Sequence, residues 1–424
     1  MSSEQAMPPD PTTDAAPRPS VAETSNDRLD LVIDDGDRYG GLRLISWWRQ
    51  DRLAVARVMV VGAGALGNEV LKNLVLVGVG TIYLIDFDRV EMSNLARSVF
   101  FREQDADRPK AEVAALRARQ LNPESNVIAI TGDVITDVGL GLFRDSDVVI
   151  GCLDNREARL WVNRQCWKAN RPWVDAGIQE LQGVVKVFVP PHSACYECAM
   201  TSRDYQLINL RYSCPLLSRE DIQQGKVPTA PTIASMMAAL EVQEALKILH
   251  EMPVAGGTAL VFNGQGNQFY ATKLPYRDDC LSHETYGDPE PTGLGHASRA
   301  DELFALARNS LVGPLALILD RDLVTEVACG SCDARREVMR PRTKVRQSEA
   351  VCAQCGSASS VETAERIDES SPLAARALAE LGVAPYDVVR VEGENATGFF
   401  LLDRDRIASP LDAQRRHQLG GAGM

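Results

Sequence analysis

Three glycines in Gly62-Ala-Gly-Ala-Leu-Gly67 constrain this chain more than any other feature. They follow an apolar run, Val58 to Val61, that reads as a short buried strand. A helical pattern starts at once behind them with Asn68-Glu-Val-Leu-Lys-Asn-Leu. Strand, G-x-G-x-x-G turn and helix N-terminus form the cradle for nucleotide phosphates. Glycines let the backbone turn sharply and approach the ligand, and free N–H groups face negative charge. Gly62, Gly64 and Gly67 are therefore the first candidate binding residues. A second strand, Thr81 to Asp86, ends in an acid about 20 residues past the glycines, where such folds place the carboxylate that binds ribose. Up to this point a nicotinamide-dependent oxidoreductase fits equally well.

The following residues favour ATP. Asp86-Phe-Asp88 leads into Ser93-Asn94-Leu-Ala-Arg97, and Arg108-Pro-Lys110-Ala opens an Ala-rich helix. Hydride transfer has no need of Asn94, Arg97 and Lys110 gathered after the second strand, whereas breaking a bond at ATP requires donors that hold polyphosphate and offset charge at the attacked phosphorus. Taken singly, Arg97 and Lys110 also read as ordinary surface cations. A third strand starts at Val127, and a fourth, from Asp147, ends at Asp154. Ligands of open α/β sheets sit at the carboxyl ends of strands, so Asp154 should face the crevice, where it suits Mg²⁺ bridging phosphates. A less favoured alternative is a cap for the helix that starts at Arg156, and the two roles are compatible. Cys152 and Cys166 read as small buried residues.

A chain of 424 residues implies two or three domains. With 45% hydrophobic and 24% charged residues and no long apolar run, it reads as globular, without a membrane span. A net charge of -13 argues against nucleic acid as a main partner. Residues 1–28 read as a disordered tail, and the start has no export-signal pattern. Asp37 to Trp48 brings aromatic residues that must bury, most simply in a short helix beside the nucleotide fold.

Six of the ten cysteines fall in three C-x-x-C pairs, which favours thiolate metal ligands in a reducing compartment, the cytoplasm. Cys195-Tyr-Glu-Cys198 and the later Cys280-Leu-Ser-His283 have knuckle spacing for one closed Zn²⁺ site. His192 is a rival ligand outside that spacing. Cys329-Gly-Ser-Cys332 and Cys352-Ala-Gln-Cys355 have zinc-ribbon spacing and read as a second, structural site. Cys214 stands apart, in a polar stretch before the helical run from Ile233. A loop cysteine near Arg211 has the setting of a nucleophile, although a structural cysteine is the commoner fate of such a residue.

Residues 285–299 have the composition of a linker. Beyond it a helix is expected from Asp301, strands at Leu315 to Leu319, Tyr386 to Val391 and Thr397 to Leu402, and a helix over Ser371 to Gly382. The expected fold is α/β. It has a Rossmann-like nucleotide-binding core with a mixed, mostly parallel sheet and a zinc knuckle, followed by a small C-terminal α+β domain that contains the zinc ribbon. The boundaries expected are 29–284 for the first domain, with a crossover loop at about 199–231, then 300–408 for the second and 409–424 for a flexible tail.

The ordered set Gly62-Ala-Gly-Ala-Leu-Gly67, Asp86-x-Asp88, Ser93-Asn-Leu-x-Arg97, Arg108-Pro-Lys-Ala and Leu153-Asp-Asn-x-x-Ala-Arg159 resembles the ubiquitin-activating superfamily. That superfamily includes the ThiF and MoeB-type adenylyltransferases, and the resemblance covers roughly residues 37–284. It implies that ATP adenylates the C-terminal glycine of a ubiquitin-like protein. Asp86 would then lie on the ribose, Asn94, Arg97 and Lys110 around the phosphates, and Asp154 on Mg²⁺. The position of Cys214 matches the thioester-forming cysteine of the crossover loop, from which a conjugating enzyme would receive the modifier. The resemblance also implies a homodimer. One motif departs from it: the family often has Arg-Tyr-x-Arg ahead of the glycine strand, its last arginine reaching a partner subunit's ATP, whereas this chain has Arg38-Tyr-Gly-Gly41. Arg38 and Arg43 are both substitutes for that arginine. Alternative readings are an adenylyltransferase for a sulfur carrier in molybdopterin or thiamine biosynthesis, an NAD-dependent oxidoreductase, and a catalytically inert binding module.

Overall fold

The computed structural model describes residues 36–213 and 229–409. Residues 36–46 belong to a separate N-terminal unit that contains one helical turn, α1 (Gly40–Arg43). In this unit Arg43 Nε donates to Asp37 Oδ2 at 2.7 Å, and both Arg38 and Arg43 are exposed. The remainder, from Trp47 onward, is organised on two sheets.

The first half of the large sheet alternates strand and helix after α2 (Gln50–Val55): β1 (Arg57–Val61), α3 (Ala65–Leu76), β2 (Thr81–Ile85), α4 (Lys110–Leu121), β3 (Asn126–Ile130), α5 (Leu140–Asp145), β4 (Val148–Gly151), α6 (Arg156–Lys168) and β5 (Trp173–Gln179). Strands β1, β2 and β4 are buried at every position, as expected of a parallel sheet covered on both faces. The strand order is β3-β2-β1-β4-β5, all parallel. Chain order therefore reverses between β1 and β4, and their carboxyl ends open the crevice in which such sheets bind ligands.

Three antiparallel strands extend the sheet: β6 (Gln182–Phe188), then, after α7 (Ser202–Ser213) and α8 (Pro231–Leu249), β7 (Thr258–Asn263) and β8 (Gln268–Lys273). Helix α8 opens with Pro231, which fits a first helical position because no N–H is needed there. The stretch expected to be a loop from 199 is helical over α7.

The second sheet is built from β9 (Glu290–Pro291), β10 (Ala316–Cys329), β11 (Arg335–Pro341), β12 (Ser359–Asp368), β13 (Val388–Glu392) and β14 (Thr397–Leu401), with helix α9 (Ala300–Ala307) against it. Strand β9 lies inside the segment read as a linker and pairs in parallel with β14. Strand β10 runs far beyond the expected Leu315 to Leu319 because β12 pairs along both of its halves. The helix expected over Ser371 to Gly382 is absent. Ser371 Oγ accepts from Leu373 N, only a 3-10 turn, Pro372–Ala375, follows, and the chain then folds back so that Leu378 N donates to Ser298 O. The apolar residues of that stretch pack with Leu303 and Phe304 into a core of their own.

The second sheet sits directly on the first half of the chain. Tyr386 and Val388 join Phe143, Trp167 and Trp173 in one buried cluster. Arg321, on β10, forms a buried ion pair with Asp387 at 3.0 Å, and its guanidinium also donates to the carbonyls of Ile135 and Val138. Asp387 in turn accepts from Leu140 N at 2.7 Å. Among the described residues no helix is long and apolar enough to cross a membrane.

Candidate active site

The glycine loop has the geometry expected of a phosphate cradle. Gly62 has φ +105, and a Cβ there would lie 2.3 Å from Cys152 O, while one at Gly67 would lie 1.9 Å from Gly62 O. Above Gly64, by contrast, nothing lies within 4 Å, which leaves room for a ligand. Asn68 locks the turn: its Nδ2 donates to Ala63 O at 2.7 Å, and its Oδ1 accepts from Phe100 N at 2.9 Å. The loop opens on a cavity of about 640 Å³ at the carboxyl ends of β1, β2, β4 and β5.

Asp86 ends β2 at the cavity wall. Its carboxylate accepts from Ala63 N at 2.6 Å and from Asp88 N at 2.7 Å, tying the second strand to the glycine loop. Burial pushes its carboxyl up to about 6, against the pull of Lys110 and of the Ala63 N–H. Lys110, nearly buried at the start of α4, rests on Asp88 with Nζ to Oδ2 at 2.8 Å. Asp88 thus holds the Lys110 ammonium at the cavity wall. Asn94 is buried in a 3-10 turn, where its Oδ1 accepts from Glu91 N at 3.0 Å. Its NH₂ is left to donate into the cavity that it lines. Arg97 also lines the cavity and donates only to Ser93 O, at 3.2 Å, with no ion pair among the described residues.

Asp154 lies just past β4, exposed, and accepts from Asn155 Nδ2 at 3.1 Å. The capping role falls to its neighbour, since Asn155 Oδ1 accepts from Ala158 N at 2.8 Å. Asp154 therefore keeps a carboxylate directed to the cavity, a donor set that fits Mg²⁺ held by one protein oxygen plus phosphates and water. Cys166 is fully buried, and Cys152 backs onto the glycine turn, which agrees with packing roles for both.

The first metal cluster is assembled as its spacing implies. Cys195 Sγ lies 3.7 Å from Cys198 Sγ and 3.5 Å from Cys280 Sγ, and Cys198 Sγ lies 3.3 Å from His283 Nε2. A tetrahedral Zn²⁺ with sulfur ligands at about 2.3 Å needs such separations, so the four groups fit the ion. The His283 ring stacks on Trp167, which joins the knuckle to the core. His192 is exposed and outside the cluster. In the second cluster Cys329 and Cys355 lie 3.5 Å apart and Cys332 and Cys352 3.6 Å, again a fit to zinc, with Cys332 and Cys355 exposed.

Several residues that line or underlie the cavity were missed in the sequence. Arg159 on α6 pairs with Asp175 on β5 at 3.0 Å, nearly out of solvent, and bridges Leu153 O to Ala176 O. It stood in a quoted motif, and the role of the motif lay in this bridge. Beneath them Glu241 of α8 is fully buried, with the Ala176 backbone N–H nearby. Burial and, after it, the nearby Asp175 drive its carboxyl well above the usual carboxylate range. Lys186 of β6, Tyr196 and Asp204 complete the far end of the cavity. Cys214 lies outside the described residues.

The fold and site define an α/β protein of the nucleotide-binding type, with side-chain donors after β2 lining the cavity at its glycine loop. The chain belongs to the ThiF family, whose model matches residues 37–282. It is 30% identical over 236 residues to the sulfur carrier protein ThiS adenylyltransferase of Escherichia coli, covering 54% of this chain and 87% of that protein. It is 35% identical over 234 residues to the mouse adenylyltransferase and sulfurtransferase MOCS3, covering 55% of this chain and 48% of that one. The human ubiquitin-like modifier-activating enzyme 7 is 38% identical over 192 residues, 42% of this chain but only 19% of that protein. Among solved structures, E. coli MccB with ATP has a TM-score of 0.49 and 25% identity, covering 59% of this chain and 75% of that one.

Proposed function

We propose that this chain uses Mg·ATP to adenylate the C-terminal glycine carboxylate of a ubiquitin-like protein, and then holds the acyl group on Cys214 as a thioester for a conjugating enzyme. One observation carries the adenylation step. A single cavity is lined by the glycine loop, Asp86, Asn94, Arg97, Lys110 and Asp154, and also by Gly177, Ile178, Gln179 and Lys186 of the neighbouring strands. Asp86 would hold the ribose. Arg97, Lys110 and the Asn94 amide would draw charge off the phosphates, and Asp154 would hold the Mg²⁺, which neutralises polyphosphate charge when bound. A carboxylate oxygen of the substrate attacks the α-phosphorus, the bond to the β-phosphate oxygen breaks, and pyrophosphate leaves. An acyl-adenylate remains, and no proton has to move. The Cys214 thiolate then attacks the acyl carbon and AMP departs.

The similarity to a sulfur-carrier adenylyltransferase over most of that protein supports a second reading, in which the acyl-adenylate itself is the product and Cys214 does not store it. Pyrophosphate exchange driven by a ubiquitin-like protein tests adenylation. A reductant-sensitive adduct that disappears in Cys214→Ala while exchange persists supports the thioester. Conjugation that survives the substitution overturns it.

A further inference from the structure

We propose that Lys186 receives the carboxylate of the acyl substrate, so that the cavity has an anion site for that group distinct from its phosphate side. The proposal rests on the adenylation reading above and assigns one of its two ligands to a named side chain. Lys186 lies on β6, directly opposite Asp175 of β5 in the antiparallel register. Asp175 Oδ1 is taken by the Arg159 guanidinium at 3.0 Å, and Lys186 makes no ion pair among the described residues. Its ammonium instead lies 5.0 Å from the centre of the Tyr196 ring, at the wall of the cavity. An ammonium half-withdrawn from water is costly to hold, and burial pulls its affinity for the proton below the ordinary lysine value despite the nearby charges of Asp175 and Asp204. An arriving carboxylate would give the ammonium a direct contact that Asp175, held by Arg159, does not make.

The surrounding wall suits the end of an extended peptide. Strand β4 pairs with β5 only over Trp173 to Asp175, whereas β6 pairs with β5 all the way to Gln179. Gly177, Ile178 and Gln179 line the cavity, and among the described residues no strand pairs with their outer edge. A peptide could therefore add along this edge and bring its terminal carboxylate towards Lys186. The glycine loop and Asp86 follow β1 and β2, which β4 and β5 separate from β6 in the sheet, and all of them line the same cavity.

The test uses the full chain loaded with Mg²⁺ and α,β-methylene-ATP, titrated calorimetrically with acetylglycylglycine and with its C-terminal amide. The wild type should bind the acid at least ten-fold more tightly than the amide. Lys186→Met, close in length but uncharged, should bind both equally weakly with its nucleotide affinity and melting temperature kept, and Lys186→Arg should restore the preference for the acid. A Met variant that still prefers the acid, or a wild type that loads nucleotide but shows no such preference, overturns the assignment. A Met variant that loses nucleotide affinity moves Lys186 to the phosphate side and overturns it too. A wild type that binds no ATP analogue would instead sink the adenylation reading itself.

Discussion

Asp86 carries a pH signature that belongs to a single carboxyl group. Its folded value is about 6 against an ordinary 3.8, so its protonated form favours the fold. That contribution is complete below pH 3.8 and is lost as pH rises through about 6. Ribose hydroxyls donate to the ionised form, so nucleoside binding should strengthen over the same rise. Adenosine, which has no group titrating there, should bind more tightly at pH 7 than at pH 5 by calorimetry. Asp86→Asn should flatten the dependence and weaken binding by about ten-fold, the worth of a hydrogen bond to a charged group. Lys110→Ala should leave adenosine binding intact yet lower the rate of pyrophosphate exchange by about 10²-fold or more, as expected for loss of a transition-state cation. Gly62, Asp86, Lys110 and Asp154 were legible in the sequence because each stands in a short motif with its own reason. Lys186, Asp175 and Glu241 were not, since each is one polar residue in an apolar strand or helix. Only the return of β6 beside β5, with α8 packed below, brings them together.

At the level of elements, β1 to β4 followed from the alternation of apolar runs and helical patterns, while β5 and most of the second sheet did not. Strand β10 continues past Leu319 through the charged residues Asp320, Arg321 and Asp322. The ladder shifts register there, between Ile318 and Leu323, so that Arg321 turns towards Asp387 and the chain of residues 135–138. Ser371 to Gly382 failed in the opposite sense: good helix formers were drawn into turns by contacts with α9 and its core. Tyr386, expected to begin a strand, sits at φ +54 in a turn, with its carbonyl accepting from Gly141 N. Arg321→Ala would leave Asp387 buried without its cation, and loss of one partner of such a pair costs about 3 kcal/mol or more. Urea denaturation followed by fluorescence should show that loss, and Arg321→Lys should recover only part of it because one ammonium cannot span two carbonyls and a carboxylate.

Across the whole molecule the two cysteine clusters hold different things. Cys195, Cys198 and Cys280 are buried in the main core with Trp167, whereas Cys332 and Cys355 are exposed at the tip of the second sheet. With zinc loaded, a chromogenic chelator should release it in two phases. The fast phase should vanish in Cys355→Ser, and the slow one should track global unfolding. The outer cluster is not isolated from the nucleotide. Lys344, exposed next to Val345 of the small core that Val324 and Val327 of β10 help form, pairs with Asp137, and Asp137 accepts from the backbone N–H of Asp133, on the cavity wall. Thermodynamic reciprocity then sets a condition on both ends of this path. If stripping the ribbon of metal loosens the grip on nucleotide by some factor, saturating nucleotide must tighten the ribbon's hold on metal by the same factor. Through one half-exposed ion pair that factor is small, about two to five. It would nonetheless make the occupancy of the zinc ribbon a variable that the enzyme's response to ATP reports.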